Sequence, residues 1–411
     1  MTYSDLKDSE ALHPAGKRNR ILFVAQHLPV PVRGGSSQRS HLLIEAMQSF
    51  ADVELLAIGP AGVRRLLEEN GYTVAAVIPG EPENRLTLVT RLLGFLFPGR
   101  FRYPPRPDAL ATLRQLWDSG RYDLVVGRYC RPSARAGVHT IDRAIIDIDD
   151  LESQKLSSWI AGHSPPRWLT PPGRWLVGRV QKAERSVIRG LSGAWFSAAE
   201  DRAGLPAAKV DVVPNIPFYP AADNGPSPAA GPVLFVASFD YRVNAHALRR
   251  LVQSVWPRVR QQRPDLTLRI IGGGLDAAAQ ALLAQAQGVE YAGFVEDLTA
   301  EYVRSLCSIV PIWEGGGSKI KVLESLAQGR SCVVAAPSMR GYDHVLSHGQ
   351  HLLVATDEDA MIASILDLAS DGAQRHRLED AGREAVNRHF SRAMLAAHVR
   401  ASIERVLGAE R

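Results

Sequence analysis

Short apolar runs alternate along the chain with longer stretches in which apolar residues recur at helical spacing. In the first half, these runs lie at residues 20–26, 53–58, 73–78, 123–127, 144–148, 194–197 and 210–213. In the second half, they lie at 233–237, 266–271, 289–291, 308–312, 331–336 and 351–354, and a long helix is expected over about 244–263. Strands that alternate with helices predict an α/β fold with parallel sheets covered on both faces.

The composition changes over residues 216–232, where Pro, Ala, Gly, Asn and Ser predominate, as is typical of an interdomain linker. We predict a disordered tail over 1–17, Rossmann-like domains over 18–215 and 233–390, and a final helix over 391–411. Since ligands of such domains bind at the carboxyl edge of the sheet, the cleft between the domains is the expected site.

One loop after an apolar run carries three glycines and two lysines. Its residues are Gly315, Gly316, Gly317, Ser318, Lys319 and Lys321. We expect Ser318 to open a helix, whose free N–H groups and positive dipole end would face an anion that the glycines allow to approach. The loop therefore predicts a phosphate site. The alternative is a tight turn with solvated lysines.

A second glycine loop follows the run at 20–26. Gly34 and Gly35 precede Ser36 and Ser37, either of which can cap a helix that continues through Phe50. Both halves thus repeat a unit of strand, glycine loop and helix.

Two other motifs suggest different ligands. Residues 272–277 (GGGLDA) fit a dinucleotide fingerprint, with Glu290 further on, although a sharp turn would also need these glycines. Asp147, Asp149 and Asp150 resemble a metal-binding D-x-D, but helix capping and the polarity of a cleft explain these carboxylates as well. No histidine spacing typical of a catalytic metal occurs.

Residues 86–106 mix bulky apolar side chains with four arginines. This stretch fits contact with an anionic membrane or a lipid acceptor, and equally a core helix followed by a loop over the cleft. Trp159, Trp168 and Trp175 lie in or beside a proline-rich segment that fits either core packing or a lid.

The chain has 411 residues, a formal net charge of +5 and a pI near 9.2, which favour anionic partners. Its basic residues are scattered without a nucleic-acid motif, so we expect no nucleic-acid partner. Three cysteines without a CxxC pair, and no apolar run long enough to span a membrane, indicate a cytoplasmic protein.

Several ordered blocks resemble one family. They are 29–39 (PVPVRGGSSQR), 184–194 (ERSVIRGLSGA), 212–216 (VVPNI), 238–248 (SFDYRVNAHAL), 293–298 (GFVEDL) and 315–329 (GGGSKIKVLESLAQG). In this order they resemble the retaining GT-B glycosyltransferases of the "family 4" type, in particular the bacterial branch associated with exopolysaccharide and cell-surface glycan synthesis.

The resemblance implies two Rossmann-like domains with the active site between them, and a last helix that packs back on the first domain. It implies a nucleotide diphosphate sugar, with UDP or GDP expected, and a saccharide or lipid-linked acceptor. No metal or other cofactor would be required. Glu324 would bind the ribose, backbone groups at Phe294 and Val295 the base, and Lys319 with Lys321 the diphosphate. Gly34 and Gly35 would approach the donor from the opposite wall, and Asp149 and Asp150 would lie on the acceptor side.

The sequence departs from the family pattern at three places. The first of the usual paired glutamates falls on Gly316, with Glu314 two residues out of register. The two cations that the family usually carries after the first strand of the second domain would fall near Ser238 and Val243, so Arg242 is the nearest cation. The position of the usual histidine falls near Arg128. We therefore expect Lys319, Lys321, Arg242 and Arg128 to act at the reacting groups.

The predicted function is transfer of a sugar from a nucleotide diphosphate to a saccharide or lipid-linked acceptor. One alternative is a catalytically weak glycan-binding subunit that kept the fold. Another is an oxidoreductase that binds NAD(P) through residues 272–277.

Overall fold

The computed structural model describes residues 18–32, 34–80, 93–94, 96–149, 151–162 and 170–408. The predicted tail at 1–17, Asp150, Trp168 and most of residues 86–95 lie outside this range. The described residues form two α/β domains, each built on one parallel sheet.

The first sheet has seven parallel strands in the order β3-β2-β1-β4-β5-β6-β7. Its strands are β1 (Asn19–Ala25), β2 (Ala51–Gly59), β3 (Val74–Pro79), β4 (Leu124–Arg128), β5 (Ala144–Asp149), β6 (Gly193–Phe196) and β7 (Val210–Val212). The helices are α1 (Gly35–Gln48), α2 (Val63–Glu69), α3 (Pro98–Phe101), α4 (Pro107–Asp118), α5 (Cys130–Ala136), α6 (Glu152–Gly162) and α7 (Thr170–Arg189).

The second sheet has six parallel strands in the order β10-β9-β8-β11-β12-β13. Its strands are β8 (Val233–Val236), β9 (Leu268–Ile271), β10 (Val289–Tyr291), β11 (Cys307–Val310), β12 (Cys332–Ala335) and β13 (Leu353–Ala355). The helices are α8 (Arg242–Arg250), α9 (Trp256–Gln262), α10 (Ala277–Gln285), α11 (Thr299–Val303), α12 (Ile320–Ala327), α13 (Glu358–Ser370), α14 (Gly372–His389) and α15 (Arg392–Gly408).

Both strand orders place the first strand of each domain beside the fourth, with the second and third on the other side. This is the doubly wound arrangement. It leaves a crevice where the loops after the first and fourth strands of each domain diverge. The central strands are fully buried because helices cover both faces, which is why they appear in the sequence as continuous apolar runs. The predicted fold class is confirmed, and every strand that the structure describes overlaps a predicted run.

The long helix expected over 244–263 is interrupted. It begins at Arg242, and residues Leu251–Val255 form a π-helical segment before α9. Pro257 has no N–H to donate to the carbonyl four residues back, and its ring would clash there, so the wider turn accommodates it. The interruption lies away from the first turn of α8, which faces the candidate site.

The last helix returns to the first domain. Arg392 forms an ion pair with Glu45 of α1, and its guanidinium donates to the carbonyl of Phe218 at 2.8 Å. Further along α15, Ser402 accepts a 2.8 Å hydrogen bond from the indole of the buried Trp195. The helix is therefore anchored on both α1 and β6. Among the described residues, no helix has the length and apolar character needed to cross a membrane.

Candidate active site

The glycine loop follows β11, at the point of the second sheet where β11 lies beside β8. Gly315 and Gly317 have φ values of 96° and 68°, in the left-handed region that favours glycine. A Cβ added to Gly315 would lie 3.3 Å from the Val243 side chain, so the loop rests on the first turn of α8. The expectation that Ser318 opens the helix is wrong, because α12 begins at Ile320 and Lys319 is its N-cap residue.

The two lysines of the loop have different environments. The Lys319 ammonium is largely buried and donates to the carbonyl oxygens of Gly316 at 2.5 Å and Gly317 at 3.0 Å. Lys321 lies 3.4 Å from the amide oxygen of Asn244. Desolvation and the neighbouring Lys319 lower the pKa of Lys321 to about 8, against an opposing effect of Glu324. Lys319 thus shapes the loop, while Lys321 is a cation that an anionic ligand would stabilise.

The first turn of α8 supports the loop from the second domain. Arg242 is exposed at the start of this helix. Asn244 donates a 2.7 Å hydrogen bond to the carbonyl of Ser238, which leaves its amide oxygen directed at Lys321. A carboxylate oxygen of Glu314, the out-of-register glutamate, lies 2.6 Å from Nδ1 of His246. Glu314 is therefore engaged at the start of the loop.

A small cavity lies beside α12. It is lined by Tyr219, Leu298, Thr299, Tyr302, Glu324 and Gln328. Burial raises the pKa of the Glu324 carboxyl, and Lys321 only partly opposes this shift. A carboxylate one helical turn from Lys321 and facing a cavity has the chemistry to accept hydrogen bonds from vicinal hydroxyl groups.

Phe294 and Val295 follow Gly293 in the loop after β10. The Phe294 side chain is 66% exposed, an unusual state for phenylalanine, whereas Val295 packs against the buried Tyr302 and Leu234. Since Tyr302 also lines the Glu324 cavity, this loop borders the same space. The loop reaches the Glu324 cavity through Leu298, whereas Phe294 and Val295 are not among the residues that line it.

The opposite wall belongs to the first domain. Gly34 precedes α1 and Gly35 is its first residue, so the helix begins before the predicted Ser36 or Ser37 caps. A Cβ added to either glycine would meet nothing within 4 Å, so intramolecular packing does not require glycine here. Ser37 instead closes the first turn by donating to the carbonyl of Gly34 at 2.9 Å.

Charged residues at the ends of β4 and β5 form a buried network. Arg39 binds both carboxylate oxygens of Asp147, at 2.6 and 3.0 Å. Arg128, which is 0% exposed, contacts Asp147 at 2.9 Å and Asp149 at 3.1 Å. Burial disfavours the Asp149 carboxylate, but Arg128 and Arg39 outweigh this effect and hold the pKa of Asp149 well below its usual range. The Arg128 guanidinium, predicted to act on ligands, is thus enclosed by its own domain.

Two non-glycine residues with left-handed backbones flank this network. Tyr129 has a φ of 63° and Asp149 a φ of 54°, and both come at the end of a strand. The Tyr129 hydroxyl lies 2.9 Å from Ser36 and 3.4 Å from Asp149. Such strained residues persist where neighbouring contacts hold them, and they are concentrated at functional sites. Asp149, expected on the acceptor side, also accepts a 3.2 Å hydrogen bond from Asn215.

Neither alternative ligand motif receives support. Asp147 and Asp149 are neutralised by arginines, and the part of the chain described here contains no group of three or more potential metal ligands among His, Cys, Asp and Glu. In the dinucleotide-like turn, a Cβ at Gly272 would lie 1.6 Å from the carbonyl oxygen of Ala237, and one at Gly274 would overlap Asp240. These glycines are explained by close packing against the loop after β8.

Several residues near the cleft were not predicted from the sequence. They are His27, Arg39, Tyr129, Asn215, Asn244 and Tyr342. The ring centroids of His27 and Tyr129 are 4.9 Å apart, and burial, with Arg128 and Lys155, lowers the pKa of His27 to about 4. Asn215 belongs to the VVPNI block, so its position just before the linker was the available signal.

Comparison with known proteins agrees with this architecture. Residues 231–371 match the family model described as Glycosyl transferases group 1. No curated protein matches the chain. A glycosyltransferase from Rickettsia africae is 12% identical with a TM-score of 0.67, over 95% of this chain and 99% of that one.

Two further solved structures show the same fold. Sucrose-phosphate synthase from Thermosynechococcus elongatus is 16% identical with a TM-score of 0.68, over 96% of this chain and 100% of that one. HepE of Anabaena, in complex with UDP and glucose, is 14% identical with a TM-score of 0.61, over 93% and 99%. The fold is thus the GT-B arrangement of two Rossmann-like domains. Together with the family match in the second domain, it supports a glycosyltransferase.

Proposed function

We propose that the chain transfers a sugar from a nucleoside diphosphate sugar to a saccharide or lipid-linked saccharide acceptor, in bacterial polysaccharide or cell-surface glycan synthesis. The observation that carries the proposal is the loop of Gly315 and Gly317 beside Lys321, at the central crevice of the domain that matches glycosyltransferases. A cation with a lowered pKa and loop backbone groups at such a crevice suit a diphosphate.

The donor would lie along α12. Its ribose hydroxyls would bind Glu324, its base would contact the loop at Phe294 and Val295, and its diphosphate would meet Lys321 and the loop amides. HepE was solved with UDP and with UDP-glucose, which makes UDP the first nucleotide to test. GDP remains the second candidate.

The chemistry that this chain would supply is stabilisation of the leaving diphosphate. Negative charge grows on the bridging oxygen as the glycosidic bond to phosphate breaks, and fixed cations and N–H groups favour that transition state over the ground state. Lys321, with Arg242 at the start of α8, would do this without a metal ion. We also propose the family 4 type and retention of configuration, with no glutamate at Gly316 to contact the sugar.

The acceptor would enter from the first domain, at the edge bordered by Gly34, Gly35 and Asp149. Residues 96–106, the continuous described part of the basic apolar stretch, include α3 and lie in this domain. A lipid-linked acceptor at a membrane surface, with the protein bound peripherally on the cytoplasmic side, is part of the proposal.

A glycan-binding subunit is the second candidate, because Arg128 at the expected histidine position is enclosed by Asp147 and Asp149. Hydrolysis of a nucleotide sugar by the purified chain without a partner would exclude it. An oxidoreductase has no support from Gly272 or Gly274, whose positions serve packing.

The test is a calorimetry and thermal-shift panel of UDP, GDP, ADP, dTDP and NAD(P), with and without Mg²⁺. We expect one nucleoside diphosphate to bind without metal, and Lys321→Ala to weaken it by about 10- to 150-fold through loss of a charge-assisted hydrogen bond. Lys182→Ala, which removes an exposed charge from α7 of the first domain, is the matched control. No binding of any diphosphate would overturn the proposal.

A further inference from the structure

Asn215 forms a hydrogen bond that joins the two domains at the glycine loop. It lies shortly after β7 of the first domain and is 8% exposed. Its side-chain amide lies 2.7 Å from the Ser318 hydroxyl, in the loop between β11 and α12 of the second domain. The family resemblance assigns neither residue a role that depends on this contact.

The orientation of the Asn215 amide is fixed by charged neighbours. The Arg39 guanidinium donates to the amide oxygen at 2.8 Å, and the Asp149 carboxylate accepts from the amide nitrogen at 3.2 Å. Arginine has only donors and an ionised carboxylate only acceptors, so the opposite orientation would pair donor with donor and acceptor with acceptor. The amide nitrogen must therefore be the atom that faces Ser318.

This orientation determines the direction of the next hydrogen bond. Since the Asn215 nitrogen donates, the Ser318 oxygen accepts, and the hydroxyl proton of Ser318 is directed to another acceptor. Ser318 lies between Gly317 and Lys319, in the loop assigned to the diphosphate. An anionic phosphate oxygen is the strongest acceptor that a ligand could bring there.

We infer that Asn215, held by Arg39 and Asp149, is a positioning residue that makes Ser318 a hydrogen-bond donor to the diphosphate of a nucleotide. This inference rests on the proposed function and adds Asn215, Arg39 and Asp149 to the residues that shape the donor site. It also assigns Asp149 a part in donor binding through Asn215, whereas the sequence indicated the acceptor side. The buried charge network of the first domain thus determines the direction in which the Ser318 hydroxyl of the second domain donates its hydrogen bond.

Tyr342 is the competing acceptor within the protein. It is 0% exposed, and its hydroxyl makes no hydrogen bond of good geometry within the described part of the chain. Burial raises the pKa of Tyr342, and the neighbouring Ser318 hydroxyl opposes that shift. Tyr342→Phe removes this oxygen. It leaves intact the proposed relay, which is the pair of hydrogen bonds from Asn215 to Ser318 and from Ser318 to phosphate.

The experiment compares UDP with uridine, and GDP with guanosine, on Asn215→Asp, Ser318→Ala and the double variant. Aspartate has nearly the shape of asparagine but no N–H, so Ser318 would donate to it and not to phosphate. We expect Asn215→Asp to weaken the diphosphate about tenfold and to leave the nucleoside unchanged. The change should lower affinity less in the Ser318→Ala background than in wild type, because the relay is already absent there.

Three controls separate the relay from other effects. Asn70→Asp introduces the same charge on an exposed helix end and should change neither affinity. Asn215→Leu is uncharged, and it should weaken the diphosphate selectively even if Asn215→Asp does not fold. Tyr342→Phe should bind the diphosphate with wild-type affinity. Thermal unfolding checks that this variant is folded.

Each contrary result has a distinct meaning. Additive losses in the double variant, equal losses for nucleoside and diphosphate, or a loss in Tyr342→Phe equal to that in Ser318→Ala would overturn the inference while the proposed function stands. Failure of the wild type to bind UDP and GDP would overturn both. Wild-type affinity in both Asn215 variants would overturn the inference alone.

Discussion

The guanidinium of Arg128 lies 3.1 Å from the carboxylate of Asp149, and the same guanidinium contacts Asp147 at 2.9 Å. Both contacts join the end of β4 to the end of β5. Because Arg128 is 0% exposed, its charge is balanced inside the first domain. We interpret this arginine as a structural cation that holds two strained strand ends in place.

Replacement of Arg128 should therefore affect stability. We expect Arg128→Met to lower the free energy of unfolding by about 3 to 5 kcal/mol at pH 7, since it leaves a buried carboxylate uncompensated. Arg128 depresses the folded-state pKa of Asp149, so its stabilisation is present above the carboxyl's unfolded pKa and is lost at lower pH. The difference between variant and wild type should thus shrink below about pH 4.

Denaturant unfolding at pH 7 and at about pH 3 measures both effects. Arg121→Met is the control, because Arg121 pairs with Glu54 near the surface and its side chain is 48% exposed. That change should cost less than about 1 kcal/mol. Full stability of Arg128→Met with loss of turnover would show instead that Arg128 acts on the ligand.

Lys321 should couple nucleotide binding to protonation. Its pKa of about 8 means that roughly half of the molecules carry the uncharged amine at pH 8. A bound diphosphate favours the ammonium, so binding should take up close to half a proton at that pH and weaken as the pH rises from 7 to 9. The second ionisation of a phosphate lies near pH 6, too low to account for this uptake.

Calorimetry of UDP or GDP binding at pH 8, in two buffers that differ in ionisation enthalpy, measures the protons taken up. Lys321→Met should bind more weakly and take up none. The same uptake in wild type and variant would place the titrating group elsewhere.

The turn at Gly272 offers a direct comparison between two adjacent glycines. A Cβ at Gly272 would lie 1.6 Å from the carbonyl oxygen of Ala237, and the φ of this glycine is 139°. A Cβ at Gly273 would meet nothing within 4 Å. Gly272→Ala should destabilise the second domain by roughly 2 to 4 kcal/mol, through overlap and backbone strain, and Gly273→Ala should cost much less.

Thermal unfolding of the two variants tests this packing role. Nucleoside diphosphate affinity should be the same in Gly273→Ala as in wild type. Selective loss of NAD(P) affinity in Gly273→Ala would revive the dinucleotide interpretation of this turn.

The fold could be predicted because its central strands are buried on both faces. Runs such as 20–26 and 233–237 stand out as continuous apolar segments, and their alternation with helices restricts the topology. The apolar pattern does not determine where a helix starts. The start of α12 was misplaced because Lys319, which binds two loop carbonyls, replaces Ser318 as the N-cap residue. The π segment before Pro257 depends on how a helix accommodates one missing N–H.

The site was predictable only where its residues are contiguous. The glycines and lysines of the loop share one stretch of sequence, so their chemistry was visible. Arg39, Asp147 and Asn215 are separated by more than sixty residues from one another, and no local pattern indicates that they meet. The enclosure of Arg128 likewise follows from strand pairing between β4 and β5, which brings two carboxylates to its side.

Glu324 provides the last test, since its proposed partner is the ribose. Its carboxyl borders the cavity with Tyr219 and Gln328, and burial raises its pKa. A carboxylate accepts from both ribose hydroxyls, whereas a glutamine has one acceptor atom and presents an N–H₂ to the second hydroxyl. Glu324→Gln should therefore weaken UDP or GDP and the matching nucleoside by a similar factor, about tenfold or more.

Analogues without ribose hydroxyls separate this role from a general loosening of the site. A 2′,3′-dideoxy nucleoside diphosphate should bind wild type and Glu324→Gln equally, because it has no hydroxyl for the carboxylate to accept from. Wild-type affinity for the ribose-containing ligands should also fall as the pH approaches the raised pKa from above, since protonation removes one acceptor. Glu290→Gln, at an exposed position on β10, is the matched control. If Glu324→Gln weakened only the diphosphates and spared the nucleosides, the carboxylate would act on the phosphate side, through Lys321.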